Sequence, residues 1–500
     1  MVFSSYEFIF IFLPVTLIIF YILKARNYLS LAKLFLVCSS LFFYAFWKFE
    51  YLFILLSSML VNFFLANAIL KKENQTRQIL FFLGIAFNLL LLGFFKYTDF
   101  LLENFNTFSQ IIKLDFNIPL PHILLPLAIS FFTFQQIAFL VDCYKRKNIE
   151  DLKVKNSYKI DLLDYSLFIT FFPQLIAGPI VHHKEMMPQF HILNKEKSLI
   201  NWEYVAKGLF IFSIGLFKKV FIADSFAVWA NAGFKLAENG GVLNIFEAWG
   251  TSLAYTFQLY FDFSGYCDMA IGLGLFFGVI LPINFNSPYK ALNIADFWRR
   301  WHITLGKFLR DYLYIPLGGN RVGRIINLRN LFLVALLSGI WHGAGWGFII
   351  WGILHATAMV IHRIYSFWAN GKKFLNSKIY KIFAWFITFN FINIAWVFFR
   401  SENLSGAISI LKAMFGITWV ELPIKWHLTR ALLERIQGSN ETLFFTIITF
   451  MLCLYCNNSI QMLNNFKPNI KNSIITMLLL YIAILTLISV PYTEFIYFNF

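Results

Sequence analysis

Charge is scarce in this 500-residue chain. Asp, Glu, Lys and Arg together make up 14% of it, whereas a soluble domain carries about a quarter. Acidic residues are scarcer still, 26 against 42 Lys and Arg, which leaves a formal net charge of +16. Cysteine is sparse as well. The five, Cys38, Cys143, Cys267, Cys453 and Cys456, fall in or beside apolar runs, which excludes a disulfide framework. Cys453 and Cys456 have CxxC spacing, but no second ligand pair accompanies them, so packing accounts for them better than a metal or redox centre. There is no linker rich in Gly, Ser or Pro, no internal repeat, no nucleophile elbow and no Walker loop; GGNRVG lacks the Lys-Ser/Thr ending that cradles phosphate.

What is abundant is apolar sequence. Hydrophobic residues make up 59% of the chain, Phe alone contributes 63, and the mean hydropathy is +0.65. The fold class this implies is an all-α polytopic membrane protein, since only helices and closed barrels satisfy the backbone inside a bilayer. The basic excess then reads as positive-inside loops and anionic headgroups, with membrane lipids as partners and no nucleic acid.

A spanning helix needs about 20 mainly apolar residues. The candidates are 7–23, 30–47, 51–70, 79–95, 122–142, 205–232, 249–267, 268–282, 328–341, 346–362, 380–399, 443–460 and 473–491. The stretch 162–180 is weaker because Pro173, Gly178 and Pro179 interrupt it. Counting half-spans, roughly eleven to thirteen membrane segments are expected. The first apolar run has no basic region before it and no small-residue cleavage site after it, so it is expected to stay as the first span. Lys and Arg cluster at 24–26, 71–77, 145–159, 290–329, 363–381 and 467–471. By the positive-inside rule both termini are expected outside. SGAISILKAMFG, within 400–442, has the pattern of an amphipathic helix at the membrane surface.

Two Trp-His pairs stand out in this apolar background: Trp301-His302 and Trp341-His342. Imidazole takes up or gives a proton near neutral pH, and an ionisable group at membrane depth is by default a candidate functional site. His302 lies in FWRRWHITLGKFLRDYLYIPLGG. There Asp296 is placed to cap or support a helix beginning near Phe297, and Trp298, Trp301, Leu305 and Phe308 recur at helical spacing. Arg299, Arg300, Lys307 and Arg310 fill the other faces. The plain reading is a surface helix on lipid headgroups; the functional one is a basic, aromatic mouth for an anionic donor, with Arg300 and Lys307 favouring neutral His302. His342 sits in SGIWHGAGWG. One helix across 331–361 would run about 46 Å at ~1.5 Å per residue, longer than a ~30 Å hydrocarbon core, so Gly343 and Gly345 are expected to mark a break. The alternative is a core histidine bonded to a neighbouring helix.

Other polar residues carry weaker signals. Asp262 and Asp268 are six residues apart and do not share a helical face, so paired-carboxylate chemistry is not supported; joining helices is the plainer role. Lys218 and Lys219 either snorkel or balance these acids. His355 and His362, seven apart on one face, leave a haem protein as a rival class. A transporter of an anionic or lipid-linked solute is the other, because broken helices and buried charges suit it as well.

Four long motifs carry a resemblance. FFPQLIAGPI at 171–180, QLYFDFSGYCDMAIGLG at 258–274, SPYKALNIADFWRRWHITLGKFLRDYLYIPLGGNR at 287–321 and SGIWHGAGWGFIIWG at 338–352 resemble the membrane-bound O-acyltransferase (MBOAT) family, in its bacterial branch that acylates cell-envelope polymers. The opening MVFSSYEFIFIFLP and the ending FIYFNF are similar to that branch too. Cys267 departs from the pattern, where a small polar residue is expected. The resemblance implies a single transmembrane domain over 1–500, with core motifs in 165–365, a central tunnel and an aromatic tail at 492–500. It implies O-acetylation of an alginate-like or peptidoglycan polymer. His342 would be the catalytic base, His302 a second polar site residue facing the cytoplasm, and Tyr497 a transient acyl acceptor, against the simpler view of the tail as an interfacial anchor. Trp301, Trp341, Arg299, Arg300, Asp262, Asp268, Gln174 and Asn320 would line or support the tunnel. No bound cofactor or metal is expected. The donor would be acetyl-CoA or another cytoplasmic acyl thioester, the partner a periplasmic or extracellular acetyltransferase, and the location the bacterial inner membrane.

Overall fold

The computed structural model describes residues 1–500 except 115, 147–152, 155–156, 193–198, 419, 424, 490–494 and 497–500. The described chain is helical apart from one antiparallel pair of two-residue strands, Lys153–Val154 and Ser157–Tyr158. In order, the helices are α1 (Leu13–Ala25), α2 (Leu29–Ala45), α3 (Glu50–Lys71), α4 (Asn74–Ile111), α5 (Ile129–Lys145), α6 (Leu162–Thr170) and α7 (Phe172–Leu175). There follow α8 (His183–Ile192), α9 (Trp202–Phe217), α10 (Asp224–Glu238), α11 (Ile245–Phe276), α12 (Ile294–Arg300), α13 (Ile303–Leu309), α14 (Arg324–His342) and α15 (Trp346–Ala369). The last are α16 (Lys378–Arg400), α17 (Leu404–Met414), α18 (Thr429–Leu432), α19 (Asn440–Tyr455), α20 (Ser459–Asn464) and α21 (Ile470–Ser489).

Among the described residues, seven helices are long and apolar enough to cross a membrane: Glu7–Ala25 (a π-helical turn running into α1), α3, α4, α14, α15, α16 and α21. α2, α17 and α19 are shorter apolar helices. The chain is therefore a multi-pass membrane protein. Several expected segments change shape. The run at 79–95 is the middle of a 38-residue helix, α4, about 57 Å long at ~1.5 Å per residue. In 122–142 the helix starts only at Ile129, because Pro119, Pro121 and Pro126 cannot continue one. The two runs 249–267 and 268–282 share one unbroken helix, α11. Its glycines do not break it. A Cβ on Gly272 would stand 2.6 Å from the Gly208 carbonyl oxygen, so this glycine permits a close crossing with α9. At 162–180 the interruption is real, with α6 and α7 separated at Phe171. α17 buries one face, Gly406, Ala407, Ile410, Ala413 and Met414.

The chain divides into two compact units, Met1–Phe212 with Met269–Pro282, and Ser213–Asp268 with Ile283–Phe500. In the first, buried polar side chains satisfy one another between apolar helices. Asn62 and Asn88 exchange amide hydrogen bonds at 2.6 and 3.2 Å, Ser58 donates to Gln136 at 3.0 Å, and Lys33 pairs with Asp164 at 2.7 Å. Gln135 donates to Gln174 at 2.6 Å. Such contacts join helices where lipid gives no hydrophobic drive.

In the second unit, α14 and α15 form a tight hairpin. A Cβ on Gly339 would lie 2.5 Å from the Gly352 Cα, so only glycine permits this crossing. Between α9 and α10 the chain makes a π-helical turn, Lys218–Ala223, and the two adjacent lysines reach different acids of α11. Lys218 meets Asp268 at 2.6 Å and Ser459 at 3.0 Å. Lys219 meets Asp224 at 2.7 Å and Asp262 at 3.0 Å. Of the two sequence readings, balancing the acids holds and snorkelling does not, since both lysines are buried.

Candidate active site

Both Trp-His pairs belong to the second unit, and the structure brings them together. The His302 and Trp341 ring centroids are 6.4 Å apart, and those of Trp341 and His342 are 4.9 Å apart. The pairs are therefore one cluster, with His302 fully buried and not at a basic mouth.

The expected continuous helix around His302 is broken. Asn293, not Asp296, caps α12, accepting from the Asp296 N–H at 2.8 Å; Asp296 instead meets Arg300 at 3.1 Å. α12 stops at Arg300, Trp301 is extended, and His302 takes a left-handed conformation, φ +46° and ψ +52°, before α13 begins. A non-glycine residue held there costs about 1–3 kcal/mol and marks sites where the surroundings over-determine the backbone. The cause is visible in Asn284. Its Oδ1 accepts from Thr304 N–H at 3.2 Å, from Thr304 Oγ1–H at 3.0 Å and from His302 Nδ1 at 3.2 Å. Its amide nitrogen points the other way, to Cys267 Sγ at 3.4 Å. An amide oxygen only accepts, so His302 carries its proton on Nδ1 and Nε2 is the lone-pair nitrogen. Burial first, and the nearby His342 second, hold this imidazole well below its ordinary value. Arg300 and Lys307, expected to do this, are not the cause; the Arg300 guanidinium is engaged with Asp296 and the Asn286 carbonyl.

His342 is the last residue of α14, and the chain is extended at Gly343 and Gly345 before α15, the break expected at these glycines. Its Nδ1 lies 2.6 Å from the Ser338 carbonyl oxygen one turn back. A carbonyl only accepts, so His342 too is protonated on Nδ1 and keeps the lone pair on Nε2. Trp351 and Phe399 wall the ring at centroid distances of 5.0 and 5.4 Å. Beyond Trp351 stands His355, 4.5 Å away. His355 Nδ1 accepts from Trp298 Nε1 at 3.2 Å, which ties α12 to α15.

The other expected residues separate into groups. Trp301 and Trp341 stand at the cluster; Trp301 is buried between Phe297 and Trp396. Asp262 and Asp268 are ion-paired on α11, and Phe263, beside Asp262, meets His302 edge-on at 4.9 Å. Arg299 is exposed and bonds its own helix at the Ala295 carbonyl. Asn320 accepts from the Tyr314 hydroxyl in an exposed loop network with Asn327, not at the histidines. Gln174 belongs to the first unit, bonded to Gln135 and to the Phe168 carbonyl. Tyr497 lies outside the described residues, although Phe495 and Ile496 before it are described. Sequence reasoning missed Asn284, Thr304, Trp351 and Phe399. Asn284 is one of three polar residues between Pro282 and Pro288, with Asn286 and Ser287, and nothing in the sequence singles it out.

Two imidazole nitrogens in one buried aromatic cluster, at a break between apolar helices, can accept protons from a hydroxyl. Comparison with known proteins points the same way. Residues 114–404 match the membrane-bound O-acyltransferase family (MBOAT). A peptidoglycan O-acetyltransferase of Helicobacter pylori is 49% identical over 100% of this chain and 98% of its own length. A probable alginate O-acetylase of Pseudomonas putida is 37% identical over 100% of both chains. A teichoic acid D-alanyltransferase of Bacillus subtilis is 29% identical over 56% of this chain and 70% of its own length.

Proposed function

Because this chain belongs to the membrane-bound O-acyltransferase family and is an O-acyltransferase, we propose that it moves an acetyl group from a cytoplasmic thioester to a hydroxyl bound for a cell-envelope glycan. Peptidoglycan and alginate-like polymers are the candidate glycans, from the names of its relatives. The observation that carries the reading is His342: its Nδ1–H is spent on the Ser338 carbonyl, which leaves Nε2 as the base.

In this mechanism the acceptor hydroxyl gives its proton to His342 Nε2 as its oxygen bonds to the acyl carbon. The tetrahedral intermediate then collapses, the C–S bond breaks, and the departing thiolate takes the proton back from the imidazolium. His302 shares the cluster as a second neutral imidazole; one charged ring disfavours a charge on the other. Burial among Trp341, Trp351 and Phe399 keeps water from competing for the thioester. Tyr497 is proposed as the first acceptor. A phenol of pKa ~10 needs such a base to act at neutral pH. The wider setting proposed is one MBOAT domain with a central tunnel in the bacterial inner membrane, both termini outside. Acetyl-CoA or a similar thioester would be the donor, and a periplasmic acetyltransferase would take the group onward.

The test is thioester turnover by purified protein in proteoliposomes, with a hydroxyl acceptor supplied. His342→Ala should lose about 10²–10⁴ in rate while remaining monodisperse and inserted. Undiminished turnover in that variant rules out His342 as the base.

A further inference from the structure

Asp262 is buried at 1% exposure in the middle of α11, and each of its two oxygens has its own task. Oδ1 faces the Lys219 ammonium at 3.0 Å, and Lys219 is also held by Asp224 at 2.7 Å. Oδ2 accepts the backbone N–H of Ile496 at 2.9 Å, 234 positions further along the chain. One turn further along the same face, Tyr266 stacks on Phe495, with centroids 4.6 Å apart and planes 26° apart. Phe495 is 2% exposed, and Phe263 also lies beside it, at 6.0 Å. Phe263 is the ring that meets His302 edge-on. Phe495 and Ile496 thus lie along the 262/263/266 face of α11, and one aromatic ring, Phe263, stands between Phe495 and His302.

A buried carboxylate costs several kcal/mol in desolvation unless it is paired and hydrogen-bonded. Joining α11 to the π-helical turn would need only the contact with Lys219. The second oxygen goes to a backbone amide near the chain end, where a side chain of any type could follow. We infer that the buried Lys219–Asp262 pair is a latch that holds the backbone at Ile496 against α11, with Phe495 seated on Tyr266. Asp262 is accordingly a positioning residue. This rests on the reading above that the tail takes part in transfer.

The latch has a chemical signature. An amide at position 262 cannot keep both tasks. If its oxygen stays with Lys219, its NH2 faces the Ile496 N–H, donor against donor. Asp262→Asn leaves Lys219 paired with Asp224, so the turn keeps a counter-charge.

The experiment uses the full chain in nanodiscs carrying Ile496→Cys, which retains the backbone N–H. Maleimide labelling of that thiol is read by mass spectrometry of the C-terminal peptide, with Asp262 intact and with Asp262→Asn. Loss of a charge-assisted hydrogen bond should speed labelling about tenfold or more, and acetyl transfer should fall with it. An unchanged labelling rate overturns the latch whatever transfer does. Faster labelling with undiminished transfer keeps the latch and removes the tail from the reaction, so the two readings fail separately. Should Asp262→Asn not fold, hydrogen exchange on the unmutated chain decides: the Ile496 amide should be strongly protected, and exchange at the rate of a free peptide overturns the proposal.

Discussion

The same dipeptide, Trp-His, is used twice in this molecule, in two different backbones. At Trp341-His342 both residues sit in the last turn of α14, and the helix's own Ser338 carbonyl sets the imidazole tautomer. At Trp301-His302 the chain has left its helix, the histidine is left-handed, and Asn284, 18 residues away, sets the tautomer. The outcome is alike: Nδ1 carries the proton and Nε2 the lone pair. One arrangement is local and built from regular helix; the other is non-local and strained. A proton acceptor supported by its own helix survives most changes around it, whereas one supported by a single distant amide does not.

That contrast can be broken most sharply at Asn284. Asn284→Leu removes the acceptor for Thr304 N–H and His302 Nδ1–H together. Leaving a buried donor unsatisfied costs about 1–3 kcal/mol. If the tautomer of His302 matters to the reaction, thioester turnover should drop about ten- to a hundredfold. Full activity would show that only the helical pair works. A smaller effect is expected from Gly339→Ala, which pries α15 and Trp351 away from the helical pair. Its methyl would meet the Gly352 backbone, which cannot swing aside. Overpacking of this kind costs about 1–3 kcal/mol, read as a lower thermal midpoint of the purified protein, with the His302 side undisturbed.

The finest test is a titration of His302. Its protonated form is disfavoured in the folded protein, so its midpoint lies below the ordinary 6.5. An unfolded chain binds a proton there that the folded chain refuses, so the fold loses stability as pH falls below 6.5 towards the folded midpoint. Selective imidazole labelling followed by NMR reads this directly. A midpoint at or above 6.5 would mean that burial does not govern this ring.

Much of the plan was legible in the sequence because it rests on local pattern. Apolar runs announced the helices, and Gly343 and Gly345 announced the break after His342; length alone does not force such a break, because α4 runs unbroken for 38 residues. Prolines announced the interruption at 162–180. Local pattern misled at 249–267 and 268–282, which read as separate candidates: α11 runs through the boundary to Phe276, and its Gly272 serves a close crossing. It misled again at 297–308, where helical spacing continues through Trp301 and His302 although the helix does not. The competing force there is the long-range bond set of Asn284, which has no periodic signature.

By itself, then, the sequence determined a multi-pass helical membrane protein and singled out two histidines, because hydrophobicity and residue type act wherever the chain goes; the enzyme class came from the resemblance of four long motifs. Only the tertiary structure decided that His302 and His342 are neighbours, that Lys218 and Lys219 reach separate acids, and that Asp262 holds Ile496. Those contacts join residues 5 to 234 positions apart. Their energies depend on distance in space and on burial, which no spacing along the chain records.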